Sequence, residues 1–299
     1  MNLIKHKNIF LGASGVLVII SWTLVLIFGF KEGIDLKGGT EWHVRMGNER
    51  TEEEVRNVVQ VISREKNFVV KKTGDGTFIF RLGAITEMEH AEYLKGLKKK
   101  FGEDVEEISF TSVGPSIGRE LRSQAIWAGV LVILGISLYV AWAFRKLKEP
   151  IASWKYGLAT LVTLFHDVSV PMGLLALLGN IKNIEIDTNF IVALLVVMGF
   201  SVHDTIVVFD RIRENLQNAE GKKHGLEATI NKSVSETLVR SINTSLTLVL
   251  VLVALLLWGP ATLFYFILTI LIGTVIGTYS SICVASPLVY IWSKKSTKN

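Results

Sequence analysis

Six apolar runs, each long enough to cross a bilayer, dictate what this chain can fold into. They cover residues 9–30, 124–144, 154–178, 189–210, 238–259 and 262–292. A membrane-spanning helix needs about 20 consecutive apolar residues. Lipid offers the backbone no hydrogen-bond partner, so each run must satisfy its own N–H and C=O groups as a helix. A mean hydropathy of +0.42 and 49% hydrophobic residues agree with an α-helical integral membrane protein of six spans. The sixth run exceeds one bilayer thickness and so either tilts or begins at the surface. The first run follows Lys5 and Lys7 like a signal peptide, but no small-residue cleavage site comes after it. It reads as a retained anchor.

Lysine and arginine alternate between the two sides of these spans. Lys5 and Lys7 precede the first run, Arg145, Lys146 and Lys148 follow the second, Arg211 and Arg213 follow the fourth, and Lys294, Lys295 and Lys298 follow the sixth. The connection 179–188 carries only Lys182, and the last hairpin turns at Gly259 and Pro260. By the positive-inside rule both termini are cytoplasmic and residues 31–123 are extracytoplasmic. The domains expected are residues 1–30, 31–123, 124–293 with a cytoplasmic loop at 211–237, and a tail at 294–299. Residues 225–240 have apolar positions at helical spacing and read as a surface helix before the fifth span. The net charge of +5 follows this topology and is no nucleic-acid signal. The single cysteine, Cys283, forms no internal disulfide, and no His/Cys cluster suggests a metal.

The outer region reads as one small domain. Residues 40–46 alternate like a strand. Thr51 with Glu54, and Thr86 with Glu89, form helix-start patterns. Short strands at 68–72 and 77–82 flank a Thr73-Gly74-Asp75-Gly76 turn, and a last strand runs over 105–113. The order βαββαβ is the ferredoxin-like split unit. It holds no nucleophile–base pair and no phosphate loop, which favours a contact module over an enzyme. Two glycine-rich segments flank it, with Gly33, Gly38 and Gly39 on one side and Gly114, Pro115 and Gly118 on the other. Each segment is readable as a hinge or as a rigid turn.

The chemistry lies in the polar residues within the spans. A carboxylate at membrane depth costs roughly 2.5–3.5 kcal/mol even on the gentlest scales, so Asp204 marks an ion or proton pathway or a structural ion pair. By helical rise it lies about 21 Å from the outer end of its span, Arg240 about 27 Å from the outer end of the next, and Asp167 about 16 Å down the third. A snorkelling Arg240 spans the difference to Asp204; equally, Arg240 is placed as a cytoplasmic anchor. Histidine is the side chain suited to proton exchange at physiological pH, so His166 and His203 suit proton relay or simple packing. Asn243 suits contact between helices, and Gly273, Gly277, Ser280 and Ser281 form a small-residue packing face. Protonation of Asp204 that weakens its pairing with Arg240 would bias a two-state bundle. Trp258 and Trp292 fit interfacial belts.

Five segments in order carry a resemblance: GIDLKGGT at 33–40, SVGPSIG at 112–118, FHDV at 165–168, GFSVHDTIVVFDRIREN at 199–215 and RSINTS at 240–245. The chain resembles the SecD/SecF family of bacterial protein-export membrane proteins, relatives of the RND transporters, over essentially its whole length. That resemblance implies a proton path through Asp204 and Arg240; Asp167, His166, His203 and Asn243 are the supporting candidates that the spans themselves offer. His203 departs from the pattern, where asparagine is more usual. It also implies no cofactor beyond protons as the coupling ion, and no catalytic residue. The implied partners are SecD as the other six-span half, the SecYEG translocon, YajC, a translocating preprotein and membrane lipid. The role is proton-driven assistance to protein export across the bacterial plasma membrane, by a separate rather than fused subunit. Two alternatives stay open: a half-transporter exporting small molecules or lipids, and a translocon scaffold with no need of Asp204.

Overall fold

A computed structural model of the chain describes residues 2–63, 68–73, 76–102, 104–145 and 151–296. Gly74 and Asp75 of the expected turn, and Lys146, Lys148 and Lys298, lie outside the described residues. The chain divides into two compact units, residues 32–126 and residues 1–31 with 127–299.

The smaller unit begins with a short helix α2 (Ile34–Lys37), after the first span α1 (Lys7–Phe28). It continues as β1 (Gly39–Arg45), α3 (Glu52–Ser63), β2 (Val69–Lys72), β3 (Thr77–Leu82), α4 (Glu87–Phe101) and β4 (Glu106–Val113). The four strands are antiparallel in the order β2-β3-β1-β4, the split βαβ arrangement that the sequence order implies. Alternation along β1 and β3 turns Trp42, Val44, Phe78 and Phe80 inward, where they meet Val55 and Leu97 of the helices. Both caps form: Thr51 Oγ1 accepts from the Glu54 amide at 3.2 Å, and Thr86 and Glu89 close a reciprocal capping box.

On the polar face, Glu41 accepts from Arg81 of the paired strand at 3.0 Å and meets His43 at 3.0 Å. Burial alone would raise the Glu41 carboxyl, but the His43 hydrogen bond and the Arg81 charge outweigh it and hold it below its usual 4.5. A carboxyl whose folded-state pKa is lowered contributes stability above its unfolded pKa and loses it as pH falls through the folded one. Hydrogen-exchange protection of β1 and β3, corrected for intrinsic rates, is therefore expected to drop as pH falls below 4.5. Glu41→Gln should show a smaller drop.

The glycine segments pack against each other within this unit. A Cβ on Gly118 would lie 2.7 Å from the Gly38 nitrogen, and one on Gly38 would lie 2.8 Å from Pro115 Cα. Gly38 and Gly39 take positive φ of 81° and 139°, which glycine accepts without strain. Gly33 starts α2, and the Gly118 amide donates to Gly114 at 3.1 Å. Backbone locked on backbone favours the rigid-turn reading over the hinge.

The larger unit holds α1, the part of α5 (Pro115–Ala143) from residue 127 on, and the spans α6 (Ser153–Lys182), α7 (Thr188–Gln217) and α8 (Ala219–Trp258). The sixth span joins α9 (Phe264–Ser280) through a π-helical turn (Ser281–Ala285) to α10 (Ser286–Ser296). Among the described residues, six helices are long and apolar enough to cross a membrane. α6 is the most enclosed, with 56% of its apolar window buried, against 6% for α5, so α6 sits at the bundle's centre and α5 at its edge. α1 packs on α6 where Gly173 meets the Ser21 backbone, and Trp22 stacks on Phe165 at 5.7 Å.

The expected surface helix at 225–240 and loop at 211–237 take a different form. α7 runs on to Gln217, and α8 is helical from its break at Gly225 straight into the membrane. The cause is a polar seam between the two helices. Asn215 donates to Ser233 at 2.9 Å and to Glu236 at 2.7 Å, and Arg211 donates to Glu236 at 2.7 Å. Thr229, Ile230, Ser233, Val234 and Thr237 are buried along the same helical face that continues into the span.

Candidate proton-binding site within the spans

Two carboxylates are buried on the two most enclosed helices. Asp167 of α6 has no solvent exposure (0%), and Asp204 of α7 has 4%. Burial at this depth requires partners, and the structure supplies hydroxyls. Asp167 Oδ1 shares a hydrogen bond with His166 Nδ1 at 2.8 Å. Its Oδ2 accepts from Ser201 at 2.5 Å and Ser280 at 2.7 Å. Asp204 Oδ2 accepts from Ser281, and Ser241 of α8 stands beside the same carboxyl.

Glycines make this possible. A Cβ on Gly273 would lie 2.2 Å from Val197 Cγ2, and one on Gly277 would lie 3.4 Å from Ser201 Cβ. Their absence lets α9 approach α7 closely enough for Ser280 and Ser281 to reach the carboxylates. Sequence reasoning placed these serines on a packing face and did not assign them to Asp167 and Asp204, nor did it single out Ser201. The π-helical turn beginning at Ser281 was also absent from it, although such turns are frequent at functional sites.

The remaining expected residues face outward. His203, Arg240 and Asn243 are all exposed in this chain. The expected contact between Arg240 and Asp204 is not made here. Successive helix positions point about 100° apart, and Ser241, 1% exposed, takes the inward position beside Asp204. Arg240, Asn243 and Thr247, spaced three and four apart, form one exposed polar stripe down α8. Among the described residues no group of three or more His, Cys, Asp or Glu side chains is placed to hold a metal.

A six-span helical membrane protein, with a ferredoxin-like domain between its first two spans and buried carboxylates on its third and fourth, defines the class. Residues 93–295 match the family "Protein export membrane protein SecD/SecF, C-terminal". The chain is 44% identical over 291 residues to the protein translocase subunit SecF of Thermobaculum terrenum, covering 93% of this chain and 90% of that one. It is 35% identical to the corresponding subunit of Sebaldella termitidis, covering 97% and 91%. The crystal structure of SecDF from Thermus thermophilus, a translocon-associated membrane protein, matches with a TM-score of 0.78 and 33% identity. That match covers 98% of this chain and 39% of the other, so the present chain spans about two fifths of the SecDF chain. A crystal structure of SecDF in a super-membrane-facing form gives a TM-score of 0.71 at 29% identity, covering 100% of this chain and 39% of that one. The chain belongs to the SecD/SecF family, and its relatives are SecF subunits of protein translocases.

Proposed function

We propose that the chain acts as the SecF-type half of a SecD–SecF complex, using the proton-motive force to promote outward movement of secreted proteins. One observation carries the reading: Asp204 is buried on a membrane span with hydroxyl partners and, among the described residues, makes no salt bridge. Such a carboxyl takes up and releases a proton without breaking an ion pair. The exposed stripe of Arg240 and Asn243 supports a protein partner, because polar groups at membrane depth require company. The partner is SecD, corresponding to the rest of the longer SecDF chains, and it brings a neighbour to Arg240. SecYEG, with YajC, presents the preprotein. Both termini face the cytoplasm and residues 31–123 lie outside. In this role the chain needs no cofactor, and protons are the coupling ion.

The test is translocation of a secreted reporter into vesicles holding this chain with SecD, with and without a proton gradient. The wild type is expected to be stimulated by the gradient, and Asp204→Asn and Arg240→Met to translocate at the unstimulated rate. An Asp204→Asn complex that still responds would make the carboxylate structural and favour a scaffold.

A further inference from the structure

Four consecutive residues just before and at the π-helical turn reach four different spans. Thr278 Oγ1 shares a hydrogen with Ser245 Oγ of α8 at 2.5 Å. Tyr279 accepts from Ser14 of α1 at 3.2 Å and donates to the Phe10 carbonyl at 3.3 Å. Ser280 donates to Asp167 of α6 at 2.7 Å, and Ser281 donates to Asp204 of α7. At about 100° per residue, four successive side chains sweep most of the way round a helix. The sixth span is thus tied to four other spans through one short segment.

We propose that Thr278–Ser281 is a positioning hub that converts the charge of Asp204 into movement of the spans, with Ser281 as its sensor. The proposal rests on the proton reading above. Ser281 has two acceptors: the Asp204 carboxylate and its own Thr278 carbonyl at 3.0 Å. Ser280 likewise has Asp167 and the Gly277 carbonyl at 3.1 Å. A hydrogen bond to an ionised acceptor is roughly twice as strong as one to a neutral group. When a proton joins an Asp204 oxygen, the acceptor loses its charge and the Ser281 hydrogen falls back to the Thr278 carbonyl. No bond other than the new O–H is made on the carboxyl. The span then loses its hold on α7 while Ser280 keeps its hold on Asp167. The π-helical turn, with its bonds spaced one residue wider than an α-helix, is where the span takes up that difference. The titratable groups that act on Asp204 are Asp167 on α6 and His203 on its own helix; His166 beside Asp167, Arg240 next to Ser241 on α8, and Tyr279 on the sixth span lie on the neighbouring elements.

The chain carries its own reporter. Cys283, the only cysteine, lies inside the π-helical turn and lines a groove of about 600 Å³ with Phe10, Leu238, Ser245 and Tyr279. The experiment attaches a nitroxide to Cys283 in vesicles containing a cysteine-free SecD partner, after checking that the labelled wild type still responds to a proton gradient. Its spectrum is followed against pH in the wild type, Asp204→Asn, Ser281→Ala and Ser281→Thr. A pH-dependent spectral transition is expected in the wild type and in Ser281→Thr, which keeps the hydroxyl. None is expected in Asp204→Asn or Ser281→Ala. Gradient-stimulated translocation should fall about tenfold in Ser281→Ala, the worth of one hydrogen bond to a charged group. Retention of SecD on purification separates a failed sensor from a failed fold. A transition in Ser281→Ala equal to the wild type's overturns the hub while leaving the proton reading standing. Gradient stimulation in Asp204→Asn overturns the proton reading itself.

Discussion

Asp167→Ala is expected to prevent stable assembly of the membrane unit, a larger effect than any substitution at Asp204. The carboxyl is completely enclosed and makes three hydrogen bonds, with His166, Ser201 and Ser280. Alanine removes all three acceptor contacts and leaves a void. A buried donor without an acceptor costs about 1–3 kcal/mol. Ser280 recovers part of this through the Gly277 carbonyl, whereas the buried His166 Nδ1 loses the partner it has here. The sum over His166 and Ser201 is roughly 2–6 kcal/mol, before any cavity cost. That is a large share of the 5–15 kcal/mol by which folded domains commonly stand. Asp167→Asn keeps one acceptor oxygen and the shape, and should fall between alanine and wild type. The check is the yield and melting temperature of the complex in detergent for both variants. Wild-type stability in Asp167→Ala would show that the network contributes little.

Gly118→Val is expected to open the junction of α2 and α5 in the outer unit. A Cβ there meets three backbone atoms of residues 36–38, at 2.7 to 3.2 Å. Backbone cannot turn aside as a side-chain end can, so one element must move. Overpacking of this kind costs typically 1–3 kcal/mol, and a branched side chain belongs at the upper end. At 1.4 kcal/mol per tenfold, amide exchange in residues 33–40 should accelerate roughly 5- to 150-fold. Gly114→Ala serves as the control, because a Cβ there has nothing nearer than Ser116 Oγ at 3.8 Å. If the two glycine segments were a free hinge, both variants would leave exchange unchanged.

Much of this architecture is written in local pattern. Apolar run length placed all six spans, because backbone desolvation leaves helices as the only solution in lipid. Alternation at 40–46 and capping signals at Thr51 and Thr86 gave the βαββαβ order, since these are properties of a few adjacent residues. The segment at 225–240 shows the limit. Its periodicity suits a surface helix and a membrane-entering helix equally, and the choice fell to Asn215, Arg211 and Glu236 on a different helix.

The candidate site divides in the same way. Asp204 and Asp167 were visible because a charge inside an apolar run is costly wherever it lands. Their partners were not, because Ser201, Ser280 and Ser281 look like any small residues until the helices are placed. Arg240 was expected to meet Asp204 from depth alone, but depth says nothing about rotation about the helix axis. Ser241 rather than Arg240 faces inward, and one residue of rotation separates an ion pair from an exposed stripe.

By itself, then, the sequence determined the number of spans, the ferredoxin-like domain between the first two, and which spans carry charge. These follow from the one-dimensional cost of leaving polar groups in lipid and apolar groups in water. Only the tertiary structure decided that Asp167 and Asp204 are held by successive serines where α9 meets the π-helical turn, and that Arg240 faces away. Those outcomes depend on how closely glycines let the helices approach and on which way each helix is rotated, and both are settled by packing across the bundle.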